Sequence, residues 1–262
     1  MSLQGPWNDI AAPVFRDLPD DLVVILPLGA TEQHGPHLPL SVDSDLTCAV
    51  LDRMWPNLTP AQNVLALPVL SVTKSNEHNR HPGTLSLGAE TFLAVLRDIG
   101  ASVARTGVDR MVLLNGHGGN TALLQVAARE LRIDHGMIVA PCAWSSFAES
   151  KDLFDPTRYA EDLHAGDVET SAMLAARPDR VDMSKARDFR PNIRDWPRDW
   201  LGFAGQPAVP GWIMDDLNAQ GVCGNAANAT AEKGQAMLDS AAAGLARFLA
   251  AFATFDHRAH PE

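Results

Sequence analysis

The sequence predicts an α/β fold with a mostly parallel central sheet covered by helices on both faces. Two observations predict it. Short continuous apolar runs, as carried by strands buried on both sides, alternate with stretches of helical period. The densest polar stretches follow directly after apolar runs, and in parallel sheets ligand sites lie beyond the carboxyl ends of the strands.

Taken in order, the first twenty residues contain Pro6, Pro13 and Pro19 and read as an irregular lead-in. Leu22-Val23-Val24-Ile25-Leu26 opens the first strand, over 22–27. Ser44 or Asp45 caps a helix running through Thr47-Cys48-Ala49-Val50-Leu51 to about Trp55, where Pro56 stops it. A second strand covers 64–69. Over 88–105, Phe92, Val95, Leu96, Ile99 and Val103 recur at three and four, as an amphipathic helix requires, with Gly107 as its C-cap. A third strand at 111–114 leads to a third helix at 121–132, and a fourth strand covers 137–140. From 186 to 224 the pattern gives way to a Pro-, Trp- and Gly-rich segment containing Phe189, Trp196, Trp200, Phe203 and Trp212. A connection this long in a compact fold acts as a lid or an oligomer contact, or as a cover whose tryptophans pad the core. An alanine-rich helix over 230–252 closes the chain.

The 262 residues are 46% hydrophobic and 20% charged, enough apolar material for one sizeable core, and no linker splits the chain, so 1–262 is read as a single domain. A formal net charge of -11, without any Lys/Arg-rich run, argues against nucleic acid and against an anionic membrane surface. Neither a signal sequence nor an uninterrupted run of about 18 apolar residues is present, so the expected location is the cytoplasm. Cys48, Cys142 and Cys223 are widely spaced and form no CxxC pattern, which excludes a disulfide framework and a thiolate zinc site.

The chemistry concentrates in four loops. Glu32-Gln33-His34-Gly35-Pro36-His37-Leu38-Pro39-Leu40-Ser41-Val42-Asp43 packs two imidazoles and two carboxylates after the first strand. In extended backbone, residues two apart project to one side, so Glu32 and His34 can face one cation while Asp43 returns from the far end of the loop. Glu77, His78, Arg80 and His81 follow the second strand, and Arg80 would suit an acidic substrate. Asn115-Gly116-His117-Gly118-Gly119-Asn120 follows the third, aiming His117 into the site at a helix N-terminus, with neither GxGxxG nor P-loop spacing. His164-Ala165-Gly166-Asp167-Val168-Glu169 opens a further helix, with Asp167 as N-cap. Six histidines (His34, His37, His78, His81, His117 and His164) fall in these loops, whereas His135, His257 and His260 lie elsewhere. The donor set of Glu32, His34, Asp43, His117 and Glu169 is all nitrogen and oxygen, which fits zinc foremost, with manganese or iron(II) as alternatives, at one or two ions per chain.

Glu-x-His-Gly-x-His-Leu-Pro with Asp43 downstream, Asn-Gly-His-Gly-Gly-Asn, His81-Pro82-Gly83-Thr84, His164-Ala-Gly-x-x-Glu169-Thr-Ser and the late Gly221-Val-x-Gly…Ala229-Thr-Ala-Glu-Lys-Gly234 together resemble the creatininase (creatinine amidohydrolase) family, from about residue 20 to 250. The resemblance implies a three-layer α/β/α sandwich, a divalent-metal amidohydrolase site and a homo-oligomer, commonly a hexamer. It also implies that Glu32, His34, Asp43 and His117 are metal ligands with Asp43 as the bridge, that Glu169 is an acidic residue of the site, and that His164 shuttles protons. Creatininases carry a second-metal glutamate two residues after the motif histidine, where this chain has Gly119, so a second metal requires Glu169 to supply the carboxylate. Trp144 matches one aromatic of the creatinine pocket. Ala160-Glu161-Asp162-Leu163 replaces another, and His81 stands where the family often has phenylalanine, both pointing away from creatinine itself.

The expected reaction is hydrolysis of a cyclic or formyl-type amide in a small molecule, by water whose pKa a metal lowers from about 15.7 toward about 7. Glu169 accepts the water proton and His164 passes one to the leaving nitrogen, while Glu77, His78, Arg80 and Trp144 are candidates for substrate contact. Two other readings use the same residues: a metal-dependent peptidase of cofactor maturation, and a metal-binding assembly subunit without turnover.

Overall fold

The chain pairs five short strands in parallel: β1 (Gln4–Pro6), β2 (Val23–Leu28), β3 (Val64–Ala66), β4 (Arg110–Asn115) and β5 (Ile138–Ala143). The computed structural model describes residues 2–203 and 206–258, so His260 lies outside the described residues. The strand order is β1-β3-β2-β4-β5, with β2 to β5 joined by the helices α1 (Val42–Met54), α2 (Ala89–Ala104) and α3 (Thr121–His135). From β2 the chain steps to one side for β3 and then crosses to the other side for β4. The loops after β2, β3 and β4 therefore open at one end of the sheet, around the reversal of strand order.

Side chains alternate across the strands and build two cores. Val23, Ile25, Val112 and Leu114 face a layer with residues from α1, from α5 (Asp167–Ala176), which follows the single turn α4 (Pro156–Tyr159), and from α7 (Ala231–Thr254). Val24, Leu26, Met111 and Leu113 face the layer of α2 and α3, through Phe92, Leu96, Leu124 and Leu131. This is the expected three-layer α/β/α sandwich. Helix α7 is long and apolar enough, by length and composition, to cross a membrane. Its Met237, Leu238, Ala241, Leu245 and Leu249 are instead buried in the first core, as in an amphipathic core helix.

Several boundaries differ from the sequence reading. The lead-in holds β1, whose three residues pair with β3 alone; an edge strand so short carries no periodic signal. Strand β3 ends at Ala66 because Pro68 has no N–H to extend the ladder. Helix α1 starts before Ser44, because Val42 and Leu46 are both buried in the core. Asp43 thus stands on its first turn rather than in the loop, and the Ser41 hydroxyl bonds Asp45 instead of capping. Asp167 is the first residue of α5, not its N-cap, and its carboxylate meets Lys233 of α7 at 2.6 Å. The role of cap falls to Asp162, whose carboxylate accepts from the N–H groups of Asp167 (2.6 Å) and Val168 (3.4 Å). The 186–224 segment contains β6 (Asp188–Phe189) and the short helix α6 (Met214–Leu217); β6 pairs antiparallel with β7 (Gly224–Asn225).

Helices α5 and α7 cross closely at Gly234, where a Cβ would stand 1.9 Å from the Ser171 carbonyl oxygen. Backbone cannot yield as a flexible side chain would, so Gly234→Ala should force the helices apart and cost about 1–3 kcal/mol. Urea unfolding at equilibrium measures it, with a lower midpoint and an unchanged m-value expected.

Candidate metal centre

The loop after β2 carries Glu32 and His34, the first turn of α1 carries Asp43, the turn after β4 carries His117, and the entrance to α5 carries His164 and Glu169. Glu32, His34, Asp43 and His117 are each at most 4% exposed. Their donor atoms converge. His117 Nδ1 lies 3.2 Å from Glu32 Oε2 and 3.5 Å from Asp43 Oδ2, and His34 Nε2 lies 3.5 Å from Asp43 Oδ1 and 3.9 Å from Glu169 Oε2. Two triads result, Glu32/Asp43/His117 and His34/Asp43/Glu169, each with donor atoms within 4.8 Å of one another and with Asp43 in common. A third, Glu32/His34/His164, overlaps both.

The outer hydrogen bonds set the ring orientations. His34 gives its Nδ1–H to the Glu32 carbonyl (3.0 Å), and His117 gives its Nε2–H to the Lys74 carbonyl (3.0 Å). That leaves His34 Nε2 and His117 Nδ1 directed at the carboxylates, the arrangement of metal-bound histidines. His164 Nε2 is 2.8 Å from the Gln33 carbonyl, which can only accept, so its proton is on Nε2 and Nδ1 faces Glu32 Oε1 at 3.7 Å. Ser75 donates its hydroxyl to Glu32 Oε2. Ala165, between the histidine and the glutamate, holds a left-handed φ of 56°, and its N–H reaches Glu169 Oε2 at 2.6 Å. Such a conformation in a residue with a Cβ is strain that the surrounding structure must impose.

The electrostatics of the cluster favour positive charge. Burial pulls the His34 imidazole down, but Asp43, Glu169 and Glu32 outweigh it and hold its pKa up at about 9. Burial opposes protonation of His117 too, and Glu32, Glu77 and Asp43 still raise it well above the usual imidazole value. Burial and the Glu32 charge push the Asp43 carboxyl up to about 6. His34 Nε2 and Asp43 Oδ2 are buried and have no hydrogen-bond partner. Three carboxylates around two buried imidazoles, with orphaned atoms facing inward, fit a divalent metal; without one the cluster must take up protons.

Gly119 is explained by its surroundings. A Cβ there would stand 2.0 Å from Glu77 Oε1 and 2.4 Å from His117 Nε2, so the Glu77 carboxylate fills the space a side chain at 119 would need. Glu77 and His78, candidates for substrate contact, are buried against the cluster. They are 8% and 2% exposed, because the loop after β3 folds beneath the cluster. Glu77 holds His117 Nε2 (3.4 Å) and Lys74 (3.3 Å), and His78 Nε2 lies 3.6 Å from Glu32 Oε1. Arg80, also a candidate for substrate contact, stands apart from the cluster. Its side chain is 70% exposed and pairs with Asp215 of α6 (3.3 Å), which also holds His81 at 3.0 Å. His37 stays outside the cluster, bonded to Thr170.

A cavity of about 290 Å³ adjoins the cluster, lined by His117, Trp144, Tyr159, Asp162, His164 and Glu169 among others, and among the described residues no Lys or Arg lines it. Trp144, a candidate for substrate contact, lies on this cavity wall. Sequence reasoning missed Gln33, Ser75 and Asp162: Gln33 was read as a spacer within the motif, and Asp162 only as part of a replaced tryptophan.

Residues 8–249 match the family model described as creatinine amidohydrolase. The chain belongs to the creatininase family. It is therefore a creatininase-family amidohydrolase, of a class acting on C–N bonds. It is 32% identical over 258 residues, 92% of either chain, to creatinine amidohydrolase of Pseudomonas putida. It is 38% identical to the mycofactocin precursor peptide peptidase of Mycobacterium ulcerans over 163 residues, a match spanning 60% of either chain. A solved Bacteroides fragilis protein described as a putative creatinine amidohydrolase superposes with a TM-score of 0.79 at 27% identity, covering 92% of this chain and 93% of that one. Solved creatininases also include a manganese form (TM-score 0.68, 29% identity, 88% and 91% covered) and a zinc–zinc form of a variant (0.69, 30%, 88% and 91%).

Burial raises the Glu77 carboxyl, but His117 and Lys74 prevail and lower it from 4.5 to about 2. A depressed carboxyl stabilises fully above its unfolded value and loses that contribution as pH falls through the folded one. In chelator-stripped protein, thermal melting should show wild type more stable than Glu77→Gln above pH 4.5, with the gap closing toward pH 2.

Proposed function

We propose that this creatininase-family chain hydrolyses a cyclic or formyl-type amide of a small molecule at a two-metal centre, which two donor sets with Asp43 in common would hold. The observation carrying the proposal is the pair of buried triads that share Asp43, beside a cavity of about 290 Å³. Glu32, Asp43 and His117 would hold one ion, and His34, Asp43 and Glu169 the other. Glu169 so takes the part of the glutamate that Gly119 cannot provide. Zinc is the foremost candidate and manganese or iron(II) the alternatives, in keeping with the nitrogen and oxygen donors. A bound divalent metal supplies Lewis acidity that polarises a carbonyl and lowers the pKa of water.

The remaining work falls to the chain. His164 presents a bare Nδ1 to the cluster while the Gln33 carbonyl holds Nε2–H. It accepts a proton from the attacking water and returns it to the leaving nitrogen, so the oxygen adds to the carbonyl carbon and the amine departs neutral. Glu169, held by the Ala165 N–H, is kept in its ligating position and is the weaker candidate for the proton acceptor. Trp144 forms an apolar wall for a planar amide. With Arg80 turned away to Asp215 and two carboxylates on the cavity wall, a neutral or donor-bearing substrate suits the site better than an acidic one. The 186–224 segment acts as a cover, through Trp212 on His78 and Asp215 on His81. The chain acts as a single domain and a cytoplasmic homo-oligomer, a hexamer by family.

The 38% identity to a peptide peptidase favours a second reading, a metal-dependent peptidase of cofactor maturation whose substrate is a peptide. A cavity at the small end of ligand pockets, about 300–1,000 Å³, favours the small molecule. Metal content by inductively coupled plasma mass spectrometry, together with turnover on matched small-amide and peptide panels, tests the proposal. The expected result is about two ions per chain, with one lost in Glu169→Ala. In His164→Ala metal should be retained and kcat should fall by about 10²–10⁴. Peptide cleavage without small-amide turnover would establish the second reading. Full metal without any turnover would leave the assembly subunit, and a well-folded protein that takes up no metal would overturn the proposal.

A further inference from the structure

Gln33 sits between the two metal-ligand candidates of its own loop and is itself 6% exposed. Its side-chain Oε1 accepts the Gly35 N–H at 3.0 Å, which settles the orientation of the amide. Its Nε2 then has two protons and three neighbours in reach: the Gly221 carbonyl (3.0 Å), His78 Nδ1 (2.9 Å) and His164 Nε2 (3.2 Å). His164 Nε2 already donates to the Gln33 main-chain carbonyl (2.8 Å) and carries a proton itself, so it cannot accept. The amide protons therefore go to Gly221 and to His78 Nδ1. His78, receiving at Nδ1, carries its own proton on Nε2, the atom that faces Glu32 Oε1 at 3.6 Å.

We infer that Gln33 is a positioning residue: its side-chain amide fixes the His78 tautomer that presents N–H to Glu32, and ties that ligand carboxylate to the end of the covering segment at Gly221. The inference rests on Glu32 being a metal ligand, as proposed above, and concerns residues for which the family motif alone suggests no task. Close fit at both ends supports it. A Cβ on Gly221 would stand 2.0 Å from Gln33 Oε1, and the Trp212 ring from the same segment meets the His78 ring edge-on, with centroids 6.5 Å apart. Ser75 donates to Glu32 Oε2, and the His78 N–H faces Oε1 from 3.6 Å, close enough to steer the carboxylate electrostatically. Partners of this kind, one step removed from a metal, are typically worth about 10–100-fold in metal affinity or activity.

Gln33→Glu keeps the shape but replaces the donor by an acceptor, so His78 must place a proton on Nδ1 to bond it. The test reads the ring-nitrogen signals of His78 by NMR on 15N-histidine-labelled full-length protein, assigned with His78→Leu, and zinc affinity by chelator competition. Wild type should show His78 protonated on Nε2. In Gln33→Glu, Nδ1 should become protonated and zinc affinity should drop about 10–100-fold. In the His78→Leu background Gln33→Glu should cost little more, the non-additivity expected of residues acting through one another. Gln33→Ala, which may be read if Gln33→Glu does not fold, should lower zinc affinity while keeping His164 protonated on Nε2, since that bond uses the main chain. His78 protonated on Nδ1 in wild type, or full additivity of the two substitutions, would overturn the inference. Absence of zinc binding in wild type would instead refute the metal-centre reading, with the NMR signals still deciding the role of Gln33.

Discussion

Everything at the carboxyl end of this sheet answers to one constraint: two buried carboxylates, Glu32 and Asp43, are brought together with a third, the half-buried Glu169 at the cavity wall. Buried anions without counter-charge cost several kcal/mol each even after relaxation. The structure meets that cost with imidazoles whose pKa values the carboxylates hold up, and with orphaned atoms facing inward for a cation. A fold that accepts this arrangement forgoes stability at its active end, as functional sites commonly do.

The sandwich supports the cluster by dividing its donors among elements that are themselves rigid. Asp43 rides on the first turn of α1, whose Val42 and Leu46 are locked into the core, and His117 stands immediately beyond β4. Glu169 belongs to α5, which α7 clamps through Gly234 and the Lys233–Asp167 pair. Loops contribute what strands and helices cannot. The turn after β2 supplies Glu32 and His34 with Gln33 between them, and the strained Ala165 swings an N–H onto Glu169.

Around the donor cluster lies a second ring of contacts. Glu77 fills the space beside Gly119, His78 and Ser75 bracket Glu32, and Asp162 both caps α5 and lines the cavity. The wall of the adjoining cavity carries Trp144, Tyr159 and Asp162.

The sequence by itself determined the class of fold, because burial on both faces of a parallel strand demands the apolar runs at 22–27 and 111–114, and amphipathic helices demand the period seen at 88–105. It also determined the inventory of donors, since Glu32, His34, Asp43, His117, His164 and Glu169 belong to short motifs dense in ligating residue types. Only the tertiary structure decided which of the six clustered histidines meet: His34, His78, His117 and His164 converge, while His37 turns to Thr170 and His81 to Asp215. Only it decided that Glu77 and His78 lie beneath the ligands instead of in solvent, and that Arg80 faces away. The reason is physical. Apolar periodicity records how each element meets the core, a local property, whereas the direction of a polar side chain in a loop is set by partners up to 188 residues away, as Gln33 and Gly221 are.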